Sequence, residues 1–224
     1  MSVSKNERVL IVINHIASGD TDYLYRFIEV AARGTVQATL GDDYAKIVKL
    51  YDANATLAKL IAALKNEGAK TSIKRIDLIV MLHGGTGTII FKDGSKNSSV
   101  VENQIKALNI KPKLRLAYST CCFGDSHSAD FIAAGFDSAI GSKKANANAA
   151  VEFAPLLSLW QFDFKLSDCL APTIPLTPAA DAASIAYGQA AGTSWRDDVD
   201  STKVLRGTAR LPLPCGCTSR CCDP

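Results

Sequence analysis

The chain has 224 residues, of which 47% are hydrophobic and 21% are charged, and its formal net charge at pH 7 is +3. This length suits one large α/β domain with its own core. The small positive charge argues against nucleic acid or an anionic membrane as a partner, and no apolar stretch is long enough to span a bilayer. Because the first residues lack the basic and apolar regions of a signal peptide, we expect a cytoplasmic protein.

Strand and helix signals alternate along the first half of the chain. Arg8–His15 is a near-continuous apolar run, as expected of a strand buried on both faces, and a helix over residues 20–33 follows it. Residues 45–51 resemble a second strand. Apolar residues spaced i, i+3, i+4 and i+7 predict a helix over residues 53–66. Residues 76–82, with the sequence IDLIVML, are the strongest buried strand in the chain.

The glycine-rich stretch after this strand, residues 83–87 (HGGTG), is expected to be a flexible loop. A small hairpin around Asp93 and Gly94 follows it, and Ser99 with Glu102 fits a capping box that opens a helix. Next we predict a strand, a loop, a helix and a short strand over residues 114–120, 121–125, 126–134 and 136–141.

The second half of the chain is less regular. We predict helices over residues 145–160 and 177–191, a loop over residues 163–176 and an edge strand over residues 204–211. The repeated strand–helix order, with no long polar linker, predicts an α/β fold with a mostly parallel central sheet flanked by helices. We assign residues 1–212 to this domain and residues 213–224 to a cysteine-rich tail.

Two residues with catalytic potential follow two strands that we expect to be neighbours. His83 follows the strand over residues 76–82, and Cys121 follows the strand over residues 114–120. The hairpin and helix between them make up one right-handed crossover, and active sites of parallel sheets form at the carboxyl ends of strands. A thiol is a good nucleophile only as a thiolate, and a nearby imidazole accepts its proton. We therefore predict a dyad of His83 as base and Cys121 as nucleophile.

The residues beside this dyad leave one alternative open. The N–H groups of Gly84 and Cys121 are predicted to form the oxyanion hole. Cys122 is the alternative nucleophile, because neighbouring side chains point in different directions and only one of the two cysteines faces His83. We expect His127 to point to solvent from the start of the next helix.

The two strand ends resemble the caspase–legumain–gingipain group of cysteine peptidases (clan CD), in which one apolar strand ends in His-Gly and another in a catalytic Cys. The segment STCCFG at residues 119–124, with HSADFIAAGFDSAIGS at residues 127–142, is most similar to the CHAT branch. Cys122-Phe-Gly also resembles the caspase Cys-Arg-Gly spacing. The resemblance implies a caspase-like three-layer sandwich and a thiol protease that cleaves peptide bonds through a thioester acyl-enzyme, without a metal or cofactor. It also implies a protein or peptide substrate and an activating protein partner.

The sequence departs from these families near the expected nucleophile. Thr120 stands where legumain and CHAT sequences usually have Ala, and Ser119 stands where metacaspases have an acidic residue. No arginines match those with which caspases bind aspartate. Asp20 and Asp22 are the candidates for an acidic substrate contact. A catalytically silent caspase-like interaction module is therefore an alternative function, and a non-peptidase α/β domain is a third.

The remaining cysteines suggest a possible metal site. Seven cysteines without a signal peptide argue against a secreted disulfide scaffold. A cluster of four thiols near the C-terminus has ligands suited to zinc or copper(I): Cys215, Cys217, Cys221 and Cys222. A structural zinc site usually uses two separated knuckles, so a tail without a metal is the other interpretation.

Overall fold

The computed structural model describes residues 3–17, 23–147, 149–172, 176–190 and 199–213. Within these ranges the chain forms eight strands and seven α-helices. They are β1 (Arg8–His15), α1 (Tyr23–Leu40), β2 (Lys46–Tyr51), α2 (Leu57–Gly68), β3 (Arg75–Gly85), β4 (Thr88–Phe91), β5 (Gly94–Asn97), α3 (Ser98–Lys106), β6 (Leu114–Ser119), α4 (Gly124–Ala134), β7 (Ser138–Ser142), α5 (Ala149–Gln161), α6 (Leu166–Leu170), α7 (Thr177–Ala190) and β8 (Lys203–Gly207).

The central sheet has the strand order β2-β1-β3-β6-β7-β8. Its first five strands are parallel, and β8 is an antiparallel edge strand beside β7. The apolar runs of β1 and β3 lie in the middle of the sheet, where both of their faces are covered, and their interior residues are buried. The predicted mostly parallel sheet is confirmed, and the carboxyl ends of β3 and β6 are neighbours.

Helices cover the sheet on both faces. Leu60 of α2, Val101 of α3 and Phe131 of α4 belong to the core on one face. The core on the other face contains Val36 of α1 and Leu156 of α5, together with residues of α6. The domain is therefore a three-layer α/β sandwich, as predicted. Among the residues that the structure describes, no helix is both long and apolar enough to cross a membrane.

A buried charge cluster holds β3 and β6 in register at the end of the sheet opposite His83. The carboxylate of Asp77 accepts hydrogen bonds from Arg115 Nε at 2.9 Å, the hydroxyl of Tyr44 at 2.8 Å and the N–H of Leu116 at 3.0 Å. Arg115 also donates to the carbonyl of Leu213, which anchors the chain beyond β8. The cluster therefore contributes to the relative position of the two strands that carry the candidate dyad.

Residues 83–87, which were predicted to be a flexible loop, form the end of β3 and a tight turn. Strand β3 continues through His83 and Gly84 to Gly85, where it pairs with β4 in an antiparallel hairpin. The turn is made possible by Gly87, whose φ of +63° is a conformation that glycine adopts readily. Hydrogen bonding to β4 thus fixes the backbone on which His83 stands.

Two local predictions need correction. The helix expected to be capped by Ser99 begins two residues earlier, with Asn97 at the N-cap position. Part of the predicted 163–176 loop is the short helix α6, because Leu166, Cys169 and Leu170 are buried against the α5 side of the core.

Candidate active site

His83 is held in one ring orientation at the end of β3. Its Nε2 lies 2.6 Å from the carbonyl oxygen of Ile16. A carbonyl only accepts hydrogen bonds, so Nε2 carries the proton and Nδ1 of the neutral ring is an acceptor. The ring of Tyr25 meets the imidazole edge-on, with centroids 5.2 Å apart and planes at 82°. His83 therefore has the tautomer that a general base needs.

The peptide that orients His83 is itself fixed by a buried carboxylate on α1. Oε1 of Glu29 accepts hydrogen bonds from the N–H of Ile16 at 2.5 Å and from the N–H of Ala17 at 3.1 Å. The Ala17 N–H and the Ile16 carbonyl belong to the same peptide group. Glu29, only 3% exposed, therefore fixes the peptide group between Ile16 and Ala17, and the carbonyl oxygen of that group orients the His83 ring.

Cys121 lies in the interior and does not line the pocket beside His83. Its side chain is fully buried in the core cluster, and this burial raises the pKa of its thiol to about 11. Its N–H donates to Ser119 Oγ at 3.3 Å, and its carbonyl accepts from Ser142 Oγ at 3.0 Å. This placement argues against Cys121 as the nucleophile, because its thiol is buried outside the pocket, and against its N–H as an oxyanion donor, because that N–H already donates to Ser119.

Cys122 lines the same pocket as His83 and is half-buried. Its Sγ accepts a hydrogen bond from the backbone N–H of Asn146 at 3.4 Å. Within the described part of the chain, the Cys122 N–H makes no hydrogen bond of its own. His83 and the alternative cysteine therefore line one pocket.

A tight backbone turn follows Cys122. Phe123 has a left-handed conformation (φ 56°, ψ 30°), which is uncommon for a residue with a side chain, and its N–H donates to the carbonyl of Lys144 at 2.7 Å. The loop also passes very close to β7, since a Cβ on Gly141 would lie 2.1 Å from the carbonyl carbon of Gly124. Only glycine fits there.

Gly84 brings the end of β3 against the cysteine turn. A Cβ at this position would lie 2.9 Å from each of three atoms: Cβ of Cys121, the carbonyl oxygen of Cys122 and Cε1 of His127. His127 is fully buried, with Nε2 2.8 Å from the carbonyl oxygen of Gly85, and burial lowers its pKa. The expectation that His127 points to solvent is wrong, because α4 begins two residues earlier than predicted and turns this side chain inward.

A polar network that the sequence did not predict contacts the segment just before Cys121 and Cys122. Asn146 Nδ2 donates to the carbonyl of Thr120 at 2.8 Å, and Asn146 Oδ1 accepts from Lys203 Nζ at 3.0 Å. Lys203 is in turn paired with Glu152 at 2.7 Å, both side chains being almost fully buried. These residues come from distant segments, so no local motif in the sequence signals their association.

The pocket beside His83 and Cys122 has a volume of about 470 Å³. It lies under the carboxyl end of the sheet, between α1 and α5, and its walls are mainly apolar. The described residues that line it are Ile16, Tyr25, Ile28, Ala31, Ala32, Thr35, Met81, Leu82, His83, Thr120, Cys122, Ala145, Asn146, Ala147, Phe153, Ala154, Ala183 and Ser184. No Asp, Glu, Lys or Arg is among them.

The groups with metal-binding potential do not form a free metal site in the described part of the chain. His15, Glu29 and Asp52 place ligand atoms within 4.8 Å of one another. However, Arg33 lies among them, 2.8 Å from Asp52 and 3.7 Å from Glu29, and supplies the positive charge. The predicted substrate contacts Asp20 and Asp22 lie outside the described residues. So do the four C-terminal thiols: Cys215, Cys217, Cys221 and Cys222.

No protein-family model and no curated protein matches this chain. Solved structures do match it. Caspase-1 from Spodoptera frugiperda superposes with a TM-score of 0.59 at 11% sequence identity, over 91% of this chain and 87% of the caspase. The Drosophila initiator caspase Dronc gives a TM-score of 0.54 at 10% identity, over 96% of this chain and 86% of Dronc.

The chain has a caspase-like fold. A secreted C11 cysteine protease from Bacteroides thetaiotaomicron, solved with an irreversible peptide inhibitor, also matches at 11% identity and a TM-score of 0.48. That match covers 68% of this chain and 53% of the protease, so this chain spans about half the length of that protein. The two caspase superpositions confirm the predicted caspase-like sandwich at the level of the fold.

Proposed function

We propose that this chain is a cysteine peptidase in which Cys122 is the nucleophile and His83 the general base. The observation that carries this proposal is that Cys122 and His83 line one pocket, while the Ile16 carbonyl leaves Nδ1 of His83 as the acceptor nitrogen. The caspase-like fold supports the reaction class. Cys121, the nucleophile favoured by the sequence, is replaced in this role because its thiol is buried outside the pocket.

The reaction follows from these two side chains. Nδ1 of His83 accepts the proton of the Cys122 thiol, and Sγ attacks the carbonyl carbon of the scissile peptide bond. The protonated His83 gives this proton to the leaving amine as the C–N bond breaks, which leaves a thioester on Cys122. Water then loses a proton to His83 and attacks the thioester, and the returned proton regenerates the thiol as the carboxylic acid product leaves.

The negative oxygen of each tetrahedral intermediate needs hydrogen-bond donors. We assign this role to the N–H of Cys122, which has no other partner in the described chain, and to the N–H of Gly84, which follows His83 directly. The close packing of Gly84 on the cysteine turn keeps the two residues adjacent. Cleavage of this kind requires neither a metal nor a cofactor.

The finer assignments rest on the sequence. Residues 119–142 favour a peptidase of the CHAT branch, acting on a protein or peptide and activated by a protein partner. A catalytically silent interaction module is the second candidate function, but a filled His83–Cys122 pair with a defined tautomer favours an enzyme.

A cleavage assay on the purified chain tests this function. The substrate is a mixture of peptides with every residue type represented, and mass spectrometry identifies the products. We expect cleavage by the wild type and by Cys121→Ala, and loss of cleavage in Cys122→Ala and His83→Ala. Circular dichroism confirms that each variant folds. Cleavage that survives in Cys122→Ala but not in Cys121→Ala would reverse the assignment of the nucleophile, and no cleavage by any form would favour the silent module.

A further inference from the structure

The pocket that contains Cys122 and His83 extends well beyond them along the first helix. Ile28, Ala31, Ala32 and Thr35 of α1 lie at i, i+3, i+4 and i+7, so they form one helical stripe about two turns long. Phe153 and Ala154 of α5 belong to the same pocket, and α1 packs directly on α5. The pocket is thus a cleft between two helices that opens at the candidate nucleophile.

Small residues on both helices line this cleft. Ala31, Ala32 and Ala154 have side chains of a single carbon, which leaves room between helices that larger residues would fill. A volume of about 470 Å³ lies within the size range of pockets that bind small ligands, roughly 300–1,000 Å³. The cleft therefore has room for one large side chain.

The residues that the structure describes around the cleft offer no counter-charge to a substrate. The cleft's described polar lining groups are hydroxyls, the Asn146 amide, the Cys122 thiol and the His83 imidazole. The nearby buried ammonium of Lys203 is already neutralised by Glu152, and the guanidinium of Arg33 binds Asn14 and Asp52. Among these described residues, an aspartate or arginine side chain would lose its hydration without gaining an ionic partner, which is unfavourable.

We propose that this cleft is the subsite for the side chain on the acyl side of the scissile bond, and that it selects a large uncharged apolar side chain such as Leu, Met or Phe. The proposal rests on the proposed function for its position, because the attacked carbonyl belongs to the residue whose side chain lies nearest to Cys122. Burying such a side chain instead of alanine favours binding by roughly 10- to 100-fold.

A binding measurement tests the subsite without requiring catalysis. Peptides of the form acetyl-Ala-Ala-Ala-X-Gly-amide are titrated into the full-length Cys122→Ala variant and followed by calorimetry, with X as Leu, Met, Phe, Ala, Asp or Arg. We expect the Leu, Met and Phe peptides to bind at least tenfold more tightly than the Asp and Arg peptides. Equal affinities, or tighter binding of Asp or Arg, would overturn the proposal.

Two variants made in the Cys122→Ala background locate the binding to the cleft. Ala154→Leu narrows the cleft and is expected to weaken the binding of the Phe peptide by tenfold or more. Thr35→Asp adds a carboxylate to the cleft and is expected to tighten the binding of the Arg peptide. The matched control Thr39→Asp lies one turn further along α1, outside the cleft, and is expected to leave this affinity unchanged. Apolar selectivity that neither cleft variant alters would show that the peptide binds elsewhere.

The same peptides distinguish the two proposals. If the apolar peptides bind selectively to Cys122→Ala but the wild type cleaves none of them, the peptidase function fails and the apolar subsite stands. If the wild type cleaves only after Asp or Arg, the peptidase function stands and the apolar subsite fails.

Discussion

The carbonyl oxygen of Ile16 lies 2.6 Å from Nε2 of His83 and fixes the tautomer of the imidazole. Because the same peptide group donates its N–H to Glu29, the orientation of the candidate base depends on a buried carboxylate of α1 that is far from His83 in the sequence. Glu29 is a positioning residue in this arrangement, since it acts on His83 only through the backbone.

Replacing Glu29 is therefore expected to change the turnover rate more than substrate binding. Glu29→Ala removes the acceptor of two backbone N–H groups, and the loss of such bonds corresponds to roughly 1–3 kcal/mol, or about 10- to 100-fold in kcat. KM should change little. Glu29→Gln keeps an acceptor oxygen and is expected to recover most of the loss.

The control for this prediction is Asp52→Asn, which perturbs the same Arg33 without touching the Ile16 peptide. Steady-state kinetics are measured beside thermal melting for all three variants. An equal loss of kcat in Asp52→Asn, or an effect of Glu29→Ala on melting alone, would remove Glu29 from the positioning of His83.

The two adjacent glycines after His83 should respond differently to a methyl group. Gly84→Ala introduces a Cβ 2.9 Å from the backbone and side chains of the cysteine turn, whereas a Cβ at Gly85 meets nothing within 4 Å. We expect Gly84→Ala to lower kcat/KM at least tenfold by displacing the turn that carries Cys122. Gly85→Ala should remain within about threefold of the wild type. Similar effects of the two substitutions on kcat/KM would show that this contact does not position the turn.

Asn146 should influence the reactivity of Cys122. Its backbone N–H contacts Sγ, and its side chain ties this segment to Thr120 and Lys203. Asn146→Ala is expected to slow the alkylation of Cys122 by iodoacetamide about tenfold, since two side-chain hydrogen bonds of about 1 kcal/mol each are lost. Asn103→Ala, at an exposed position on α3, is the matched control. Unchanged alkylation in Asn146→Ala, measured by peptide mapping, would contradict this role.

Because His127 is buried, we predict that the protein loses stability in mild acid. Burial lowers its pKa below the unfolded value of 6.5, so below pH 6.5 the unfolded chain binds a proton that the folded chain does not. The free energy of unfolding is then lost as the pH falls from 6.5 toward the folded pKa, by at most about 1.4 kcal/mol per pH unit.

The variant His127→Gln keeps a donor for the Gly85 carbonyl but does not titrate. We expect its free energy of unfolding, measured in urea between pH 7 and 5, to fall less steeply than that of the wild type. Some slope will remain, because the pKa of His15 is also lowered by burial. Parallel slopes for the two proteins would mean that folding does not lower the pKa of His127.

Much of the fold was predictable from local patterns. The apolar runs of β1, β3 and β6 identified the central strands, and the alternation of strands and helices predicted their parallel order. The position of His83 after the strongest strand was equally clear. In contrast, the hairpin that continues β3 depends on pairing with β4, which a glycine-rich sequence does not suggest.

The choice between Cys121 and Cys122 was beyond the sequence for a physical reason. The preference for Cys122 rests on the burial of Cys121 and on the pocket that Cys122 lines, and a local pattern predicts neither. Likewise, Glu29 and Lys203 reach the site from α1 and β8. Such residues have no signature in the segments that carry the nucleophile and base.

The most direct test of the central claim is to identify the thiol that reacts with a peptide-based electrophile. The full-length protein is incubated with an acyloxymethyl ketone carrying a peptide that ends in leucine, and tandem mass spectrometry locates the adduct. We predict modification of Cys122 in the wild type and in Cys121→Ala, and none at this residue in His83→Ala. Modification of Cys121, or equal modification of Cys122 with and without His83, would contradict a Cys122–His83 dyad.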